Sequence, residues 1–161
     1  MISVRRSTHI DPDFQTFCEL LNKEFWVRYP DSQHNFEPYN TVNATARVVL
    51  VYSGDTAVGC GCFRPMEKEE TIEIKRMYVR EEFRGLGIAK IVLLELEKWA
   101  VAEGFTKSKL ETGINQPEAI ALYTRNGYQP IPNYPPYVGV DLSICMMKKL
   151  ERSDAGQKLD R

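Results

Sequence analysis

The sequence has little net charge, few cysteines and histidines, and no long hydrophobic run. Its 21 Lys and Arg residues nearly balance its 22 Asp and Glu residues, so the formal net charge is −1. A chain with this balance lacks the overall basic charge that usually accompanies binding to nucleic acid or to an anionic membrane. We therefore expect neither nucleic acid nor a membrane among its partners.

The cysteines and histidines lack the spacing of a metal site. Cys60-x-Cys62 has no second cysteine pair, and His9 and His34 are far apart. Zinc sites usually combine two such pairs in close sequence spacing. The sequence therefore predicts no metal and four buried thiols, at Cys18, Cys60, Cys62 and Cys145.

The length and the hydrophobic runs predict one domain in the cytoplasm. No N-terminal segment has the apolar core of a signal peptide, and no run approaches about 18 apolar residues. A chain of 161 residues is long enough to bury one hydrophobic core. We expect residues 1–150 to form this domain and the charged residues 151–161 to form a flexible tail.

Hydrophobic spacing and turn residues predict helices and strands along the chain. Asp11 and Pro12 have the residue types of a helix start, and Asn126-Gly127 has those of a helix end. Ser53-Gly54-Asp55 predicts a tight turn between two strands. The predicted helices are 12–29, 88–104 and 117–125, and the predicted strands are 47–52, 56–63, 71–79, 108–113 and 142–150.

The strand at 71–79 changes its hydrophobic face. Its apolar residues occupy even positions at Ile72 and Ile74 but odd positions at Met77 and Val79. Strand side chains alternate strictly between the two faces, so one extra residue is needed to keep all four on one side. The pattern predicts a β-bulge near Lys75-Arg76; the alternative is a strand buried on both faces.

The segment Arg84-Gly85-Leu86-Gly87 stands directly before an apolar helical pattern. A helix N-terminus has unpaired N–H groups and a partial positive charge, and glycines let its backbone approach an anion closely. The segment is not a P-loop, and Lys90 stands where a dinucleotide fingerprint has its third glycine. It predicts a phosphate site with Arg84 as an added cation; the alternative is a plain helix start.

Two segments resemble the GNAT superfamily of N-acetyltransferases. "RMYVREEFRGLGIAKIVLLELEKWA" is similar to its acetyl-CoA motif, in which a strand leads into Arg/Gln-x-x-Gly-x-Gly/Ala and a long helix. "NQPEAIALYTRNGY" is similar to its later strand-to-helix segment. The resemblance covers about residues 47–150 and implies an α+β fold. We expect a mostly antiparallel, twisted sheet of six to seven strands, flanked by helices, whose central strands splay apart.

The resemblance also implies where acetyl-CoA binds. Its pantetheine arm would lie in the gap of the sheet against the backbone of Met77, Tyr78 and Val79. Its pyrophosphate would meet the backbone of Arg84, Gly85, Leu86, Gly87, Ile88 and Ala89. Many relatives place Asn seven residues before the tyrosine of the later helix, where this chain has Gln116 preceded by Asn115. Either side chain is a candidate for a cofactor contact.

Three residues are candidates for the chemistry of acetyl transfer, which needs a neutral amine and a proton for the departing thiolate. Glu73 matches the catalytic glutamate of some GNAT members and is the first candidate for the general base. Glu111, on the neighbouring strand, is the second candidate and otherwise a substrate-binding residue. Tyr123 matches the helix tyrosine that lies near the cofactor sulfur and can donate a proton to it. For each of these three residues, the alternative is a structural role without a part in the chemistry.

The expected function is N-acetylation of a small amine or an amino acid by direct attack in a ternary complex. Aromatic residues of two segments are expected to wall the acceptor pocket, namely Tyr29, Phe36, Tyr39, Tyr134 and Tyr137. Two alternatives remain: a CoA-binding sensor without turnover, and a protein acetyltransferase acting on a chain terminus or a lysine. The resemblance also implies that a homodimer is possible.

Overall fold

The computed structural model describes residues 1–30, 42–67 and 70–151. In these residues seven strands form one sheet, flanked by three α-helices. The strands are β1 (Ile2–Ser7), β2 (Arg47–Ser53), β3 (Thr56–Pro65), β4 (Thr71–Val79), β5 (Lys107–Gly113), β6 (Gln129–Ile131) and β7 (Ser143–Lys149). The helices are α1 (Pro12–Arg28), α2 (Ile88–Ala102) and α3 (Pro117–Arg125). The sheet order is β1-β2-β3-β4-β5-β7-β6, and β4 with β5 is the parallel pair of this described sheet.

The predicted helices and the five predicted strands are confirmed, and two edge strands were missed. At the start of α1, the Asp11 carboxylate accepts a hydrogen bond from the N–H of Asp13, as the capping prediction implies. The edge strand β1 is exposed along nearly all its length, so it lacks the alternation that marks a half-buried strand. The edge strand β6 has three residues and contains Pro130, which weakens any strand pattern.

The bulge in β4 is confirmed. Cys60 pairs with Tyr78 and Cys62 with Lys75, so Gly61 of β3 faces two residues of β4, Arg76 and Met77. Arg76 has a φ of +58°, a left-handed conformation that is uncommon for a residue other than glycine. Because of the extra residue, the four apolar side chains of β4 all pack into the core beneath α2, namely Ile72, Ile74, Met77 and Val79.

The sheet carries a separate core on each face. On one face α2 packs closely on β3, because a Cβ at Gly61 would lie 2.8 Å from Val92. On the other face α1 packs Phe14 and Phe17 on the strands of the hairpin β2–β3. No helix in the described ranges is both long and apolar enough to span a membrane. Of the predicted tail, Glu151 alone is described.

The two central strands separate after a short parallel pairing. β4 and β5 pair in register from Thr71 opposite Lys107 to Ile74 opposite Leu110. Beyond this point β4 continues to Val79 and β5 to Gly113 without pairing to each other. The expected splayed strands are therefore present, and the bulge lies on the β4 side of the gap.

Candidate active site

A cavity of about 810 Å³ opens where β4 and β5 separate. Its walls are the unpaired ends of these strands, the C-terminal half of α1, the turn before α2 and one face of α3. Residues 74–79 and 111–113 line it. Pockets of 300–1,000 Å³ are typical of small-molecule sites.

The glycine turn offers free backbone donors to this cavity. Gly85 and Gly87 have φ values of +80° and +82°, and a Cβ on either would meet no atom within 4 Å. The first helical hydrogen bond of α2 runs from the N–H of Ile91 to the carbonyl of Gly87. Within the described residues, the N–H groups of residues 85–90 donate to no protein group. Such a row of donors at a helix N-terminus fits a pyrophosphate.

The side chain of Arg84 is directed away from this row of donors. Its Nε donates to the carbonyl of Val79 at 2.8 Å, and its Nη2 lies 3.0 Å from the carboxylate of Glu24 in α1. Its backbone N–H donates to Glu81. The guanidinium also lies over the ring of Tyr78, with 5.3 Å to the centroid. Arg84 thus ties the turn to α1, and the proposed phosphate contacts fall to the residues after it.

Glu73 lies on the cavity wall, but donors already occupy both of its oxygens. Arg64 donates to Oε1 through Nε and Nη2 at 2.8 Å each, and the hydroxyl of Tyr134 donates to Oε2 at 2.7 Å. The residue is 2% exposed. This arrangement is that of a buried ion pair which holds the loop before β7 against the sheet.

Glu111 lines the same cavity from β5 and has one hydrogen bond in the described part of the chain, from the hydroxyl of Ser143 at 2.7 Å. Burial raises the pKa of its carboxyl to about 7, and the charge of Glu73 contributes to the rise. The hydrogen bond from Ser143 and the positive charge of Lys75 act in the other direction and lower this pKa. A carboxyl with a pKa near neutrality is suited to exchanging protons at physiological pH.

Tyr123 reaches the cavity from α3. Its ring packs edge-on against Tyr128, with centroids 5.7 Å apart, and the residue is 5% exposed. Burial raises the pKa of its phenol, and the charge of Glu111 adds to this. The phenol is therefore protonated at neutral pH, and its oxygen makes no hydrogen bond within the described ranges.

The C-terminus of α1 contacts the loop after β5 across the gap. The hydroxyl of Tyr29 accepts a hydrogen bond from the N–H of Asn115 at 3.1 Å, and Arg28 donates to the carbonyl of Asn115 at 3.2 Å. A Cβ on Gly113 would lie 1.7 Å from the Tyr29 hydroxyl, so any larger residue there would displace the Tyr29 side chain from this contact. We call this contact the α1–β5 clasp, and Arg28, Tyr29 and Gly113 line the cavity on this side.

The two amide candidates have different surroundings. The amide nitrogen of Asn115 lies 3.5 Å from the carbonyl of Arg28, outside the cavity wall. The amide oxygen of Gln116 accepts from the N–H of Gly113 at 3.0 Å, and Gln116 lines the cavity. The geometry therefore favours Gln116 as the residue next to a bound cofactor.

Only some of the aromatic residues that were predicted to line the acceptor pocket do line the cavity. Tyr29 and Tyr137 line the cavity, whereas Tyr134 lies behind it and supports Glu73. Phe36 and Tyr39 fall outside the described residues. Leu86 of the glycine turn is 68% exposed and is not among the residues that line the cavity. The other residues of β4 and of the glycine turn that were predicted to contact the cofactor do line it: Met77, Tyr78, Val79, Arg84, Gly85, Gly87, Ile88 and Ala89.

The sequence analysis did not identify the residues that bind the two candidate glutamates or line the cavity beside them. Arg64 of β3 donates to Glu73 on the neighbouring strand β4, and Ser143 of β7 donates to Glu111 on the neighbouring strand β5. Arg76 lines the cavity from the bulge itself. The change of hydrophobic face marks that position, but it gives no information on where the side chain goes.

The family model of the acetyltransferase (GNAT) family matches residues 14–128. An IAA acetyltransferase of Azospirillum brasilense is 29% identical over 150 residues, which are 92% of this chain and 98% of that protein. The uncharacterized N-acetyltransferase YjgM of Escherichia coli (strain K12) is 31% identical over 132 residues, covering 80% of this chain and 78% of its own.

Two solved structures have the same architecture. A Klebsiella pneumoniae protein described as an acyl-CoA N-acyltransferase superposes with a TM-score of 0.79 at 32% identity, over 94% of this chain and 99% of that one. PaiA N-acetyltransferase of Thermoplasma acidophilum, solved in complex with coenzyme A, superposes with a TM-score of 0.68 at 19% identity, over 92% and 99%.

Proposed function

The chain belongs to the GNAT acetyltransferase family, and from this premise we propose that it acetylates the primary amine of a small molecule. The family uses acetyl-CoA, which supplies an acetyl group activated as a thioester. The observation that carries the proposal is Glu111, whose carboxyl has a pKa of about 7 and lines the cavity in the gap between β4 and β5. A module that only binds the cofactor needs no such group.

Residues of this chain would hold acetyl-CoA along one side of the cavity. The free N–H groups of residues 85–90 would bind its pyrophosphate, and the open space beside Gly85 and Gly87 leaves room for it. The unpaired edge of β4, from Met77 to Val79, would bind the pantetheine arm. Gln116 lies on the opposite wall, and its side chain would contact the same arm.

The α1–β5 clasp beside the cavity supports a small acceptor. The α1–β5 clasp joins Arg28 and Tyr29 to the loop after β5, and Arg28 also pairs with Glu118 of α3. A protein tail needs an open groove, which this clasp interrupts. Homodimer formation and a cytoplasmic location stay predictions.

Glu111 would act as the general base in a direct attack. An amine enters mostly as an ammonium ion, and it must lose a proton before it can attack a carbonyl carbon. Above pH 7 the carboxylate of Glu111 is ionised and would take this proton, either directly or through water. Glu73, bound by Arg64 and Tyr134, would hold the wall in place.

Tyr123 would donate the proton that the departing thiolate needs. Replacing it with phenylalanine should lower kcat by about 10-fold or more, since a general acid contributes 10²- to 10⁴-fold in typical cases and water can partly replace it. Affinity for acetyl-CoA should change little. Steady-state kinetics and calorimetric titration measure both, and an unchanged kcat would exclude this role.

The first experiment on the intact protein combines calorimetric titration with acetyl-CoA and a thiol-release assay over a panel of amines, amino acids, polyamines and aminoglycosides. We expect binding, and CoA release with one class of amine. Binding without release from any acceptor would favour the sensor alternative. Absence of binding would contradict the assignment of the glycine turn.

A further inference from the structure

Two cations in the cavity wall have no partner in the described part of the chain. Lys90 lies in the first turn of α2, and Arg125 lies in the last turn of α3. Both residues are exposed, and neither makes a hydrogen bond or an ion pair with a described residue. The other arginines of this wall are engaged: Arg28 by Glu118, Arg84 by Glu24, and Arg76 by the carbonyl of Cys18 and the amide of Asn22.

Lys90 occupies an electrostatically unfavourable position unless an anion binds beside it. The N-terminus of a helix carries a partial positive charge, which favours acidic side chains there and disfavours basic ones. The first turn of α2 contains Lys90 and no acidic residue. The free N–H groups of residues 85–90 lie at the same end of the helix. Positive charge is therefore concentrated at this point, and an anion from outside the chain would balance it.

Lys90 and Arg125 lie on facing walls of the same end of the cavity. Glu97 follows Lys90 by seven residues, or about two helical turns, so both lie on one side of α2. Glu97 accepts a hydrogen bond at 2.8 Å from the hydroxyl of Tyr128, which follows the end of α3. This side of α2 therefore faces the end of α3, where Arg125 is located.

The exposure of the two cations relates them to the nucleotide end of the cofactor. Tyr123, expected beside the thioester, is 5% exposed, whereas Arg125 two residues later is exposed. The pyrophosphate is assigned to the backbone donors of residues 85–90. Coenzyme A also carries a phosphate monoester on the 3′ oxygen of its ribose, beyond the pyrophosphate. Such a group has about two negative charges at neutral pH, and two formal cations match it.

We propose that Lys90 and Arg125 bind the 3′-phosphate of coenzyme A, so that the protein distinguishes coenzyme A from dephospho-coenzyme A. This inference rests on the proposed cofactor site at the glycine turn, and it is independent of the acetyl acceptor. The guanidinium of Arg125 offers a planar fork for two phosphate oxygens, and the ammonium of Lys90 adds a point charge from the opposite wall.

The test compares two ligands that differ only in this phosphate. Calorimetric titration of the wild-type protein should show that coenzyme A binds about 10- to 100-fold more tightly than dephospho-coenzyme A, since charge-assisted contacts are strong but exposure weakens them. Lys90→Gln and Arg125→Gln should each reduce this ratio by about 3- to 10-fold, and the double variant should nearly abolish it. Affinity for dephospho-coenzyme A should stay unchanged in all three variants.

Lys98→Gln is the matched control for the loss of one positive charge. Lys98 lies on the same helix and is exposed, but it does not line the cavity. Its replacement should leave the ratio of the two affinities unchanged. Higher ionic strength should lower this ratio in the wild-type protein, because exposed charges are screened by salt. Thermal unfolding of each variant checks that the fold is intact.

The outcomes separate the phosphate contact from the proposed reaction. Equal affinity of the wild-type protein for the two ligands would overturn the inference. A ratio that survives in the double variant would overturn the assignment to these two residues. If the variants bind both ligands more weakly by the same factor, the cations serve the pyrophosphate and the inference is wrong. If the ratio falls as expected while no amine is acetylated, the phosphate site stands and the proposed reaction fails.

Discussion

Replacing Glu111 with glutamine should lower kcat by about 10²- to 10³-fold at pH 8, because the proton acceptor is lost while the size of the side chain is kept. In the wild-type protein, kcat/KM should fall as the pH drops below about 7, where Glu111 becomes protonated. This acid limb should be missing from the variant. A pH profile of kcat/KM for one acceptor measures both effects.

The same substitution should stabilise the fold at alkaline pH. The pKa of Glu111 in the folded protein, about 7, lies above its ordinary value of 4.5, so the folded state binds the proton more tightly than the unfolded state. The resulting destabilisation is absent below pH 4.5, grows between pH 4.5 and 7, and is complete above pH 7. Glutamine carries no charge, so Glu111→Gln should gain up to about 3 kcal/mol in free energy of unfolding at pH 8.

Glu73→Gln is the matched control for this prediction. Removing the charge of Glu73 leaves Arg64 without its partner and weakens the support of Tyr134. We expect a loss of about 1–3 kcal/mol in free energy of unfolding and a fall in kcat of less than 10-fold, measured by denaturant titration and kinetics. If Glu73→Gln abolishes turnover and Glu111→Gln does not, the base is Glu73 and our assignment is wrong.

Replacing Gly87 with glutamate should abolish binding of acetyl-CoA. The side chain would occupy the open space beside the glycine turn and place a negative charge where the pyrophosphate is expected. We expect the dissociation constant to rise by about 100-fold or more, since removing favourable contacts and adding like-charge repulsion each cost more than 1 kcal/mol. Calorimetric titration measures it.

Gly54→Glu is the control that separates the loss of acetyl-CoA binding from the effect of backbone strain. Gly54 has a φ of +59° in the turn between β2 and β3, and a Cβ there also meets no atom within 4 Å. Both variants add one carboxylate and force a residue with a side chain into the left-handed region, which costs about 1 kcal/mol. Affinity for acetyl-CoA should be unchanged in Gly54→Glu. Equal affinity in Gly87→Glu would mean that the phosphate lies elsewhere.

The predictable parts of this protein are those in which neighbouring residues decide the conformation. Asp11 and Pro12 start α1 because their side chains act on the adjacent turn, and the change of face along β4 predicts its bulge because strand geometry fixes side-chain direction. The edge strand β1 was missed because it pairs with β2 through its backbone and buries almost no side chain.

The choice between the two glutamates could not be made from the sequence. Glu73 and Glu111 both lie on central strands with apolar neighbours, and the resemblance to the family favoured Glu73. The difference arises from partners that only the folded sheet brings to each carboxylate. Arg64 on the paired strand β3 and Tyr134 in the loop before β7 occupy Glu73, while Ser143 alone of the described residues donates to Glu111. Burial and pairing set a pKa, and both are properties of the folded sheet.

The sequence by itself determined the family, the order of the central elements, the bulge and the glycine turn, because each depends on spacing within about 20 residues. The tertiary structure decided which side chains meet in the gap between β4 and β5. It removes water from Glu111, directs Arg84 to α1 and leaves Nε and Nη1 of Arg76 without a hydrogen-bond partner among the described residues. Such effects depend on distance and burial in space, and hydrophobic spacing along a chain contains neither.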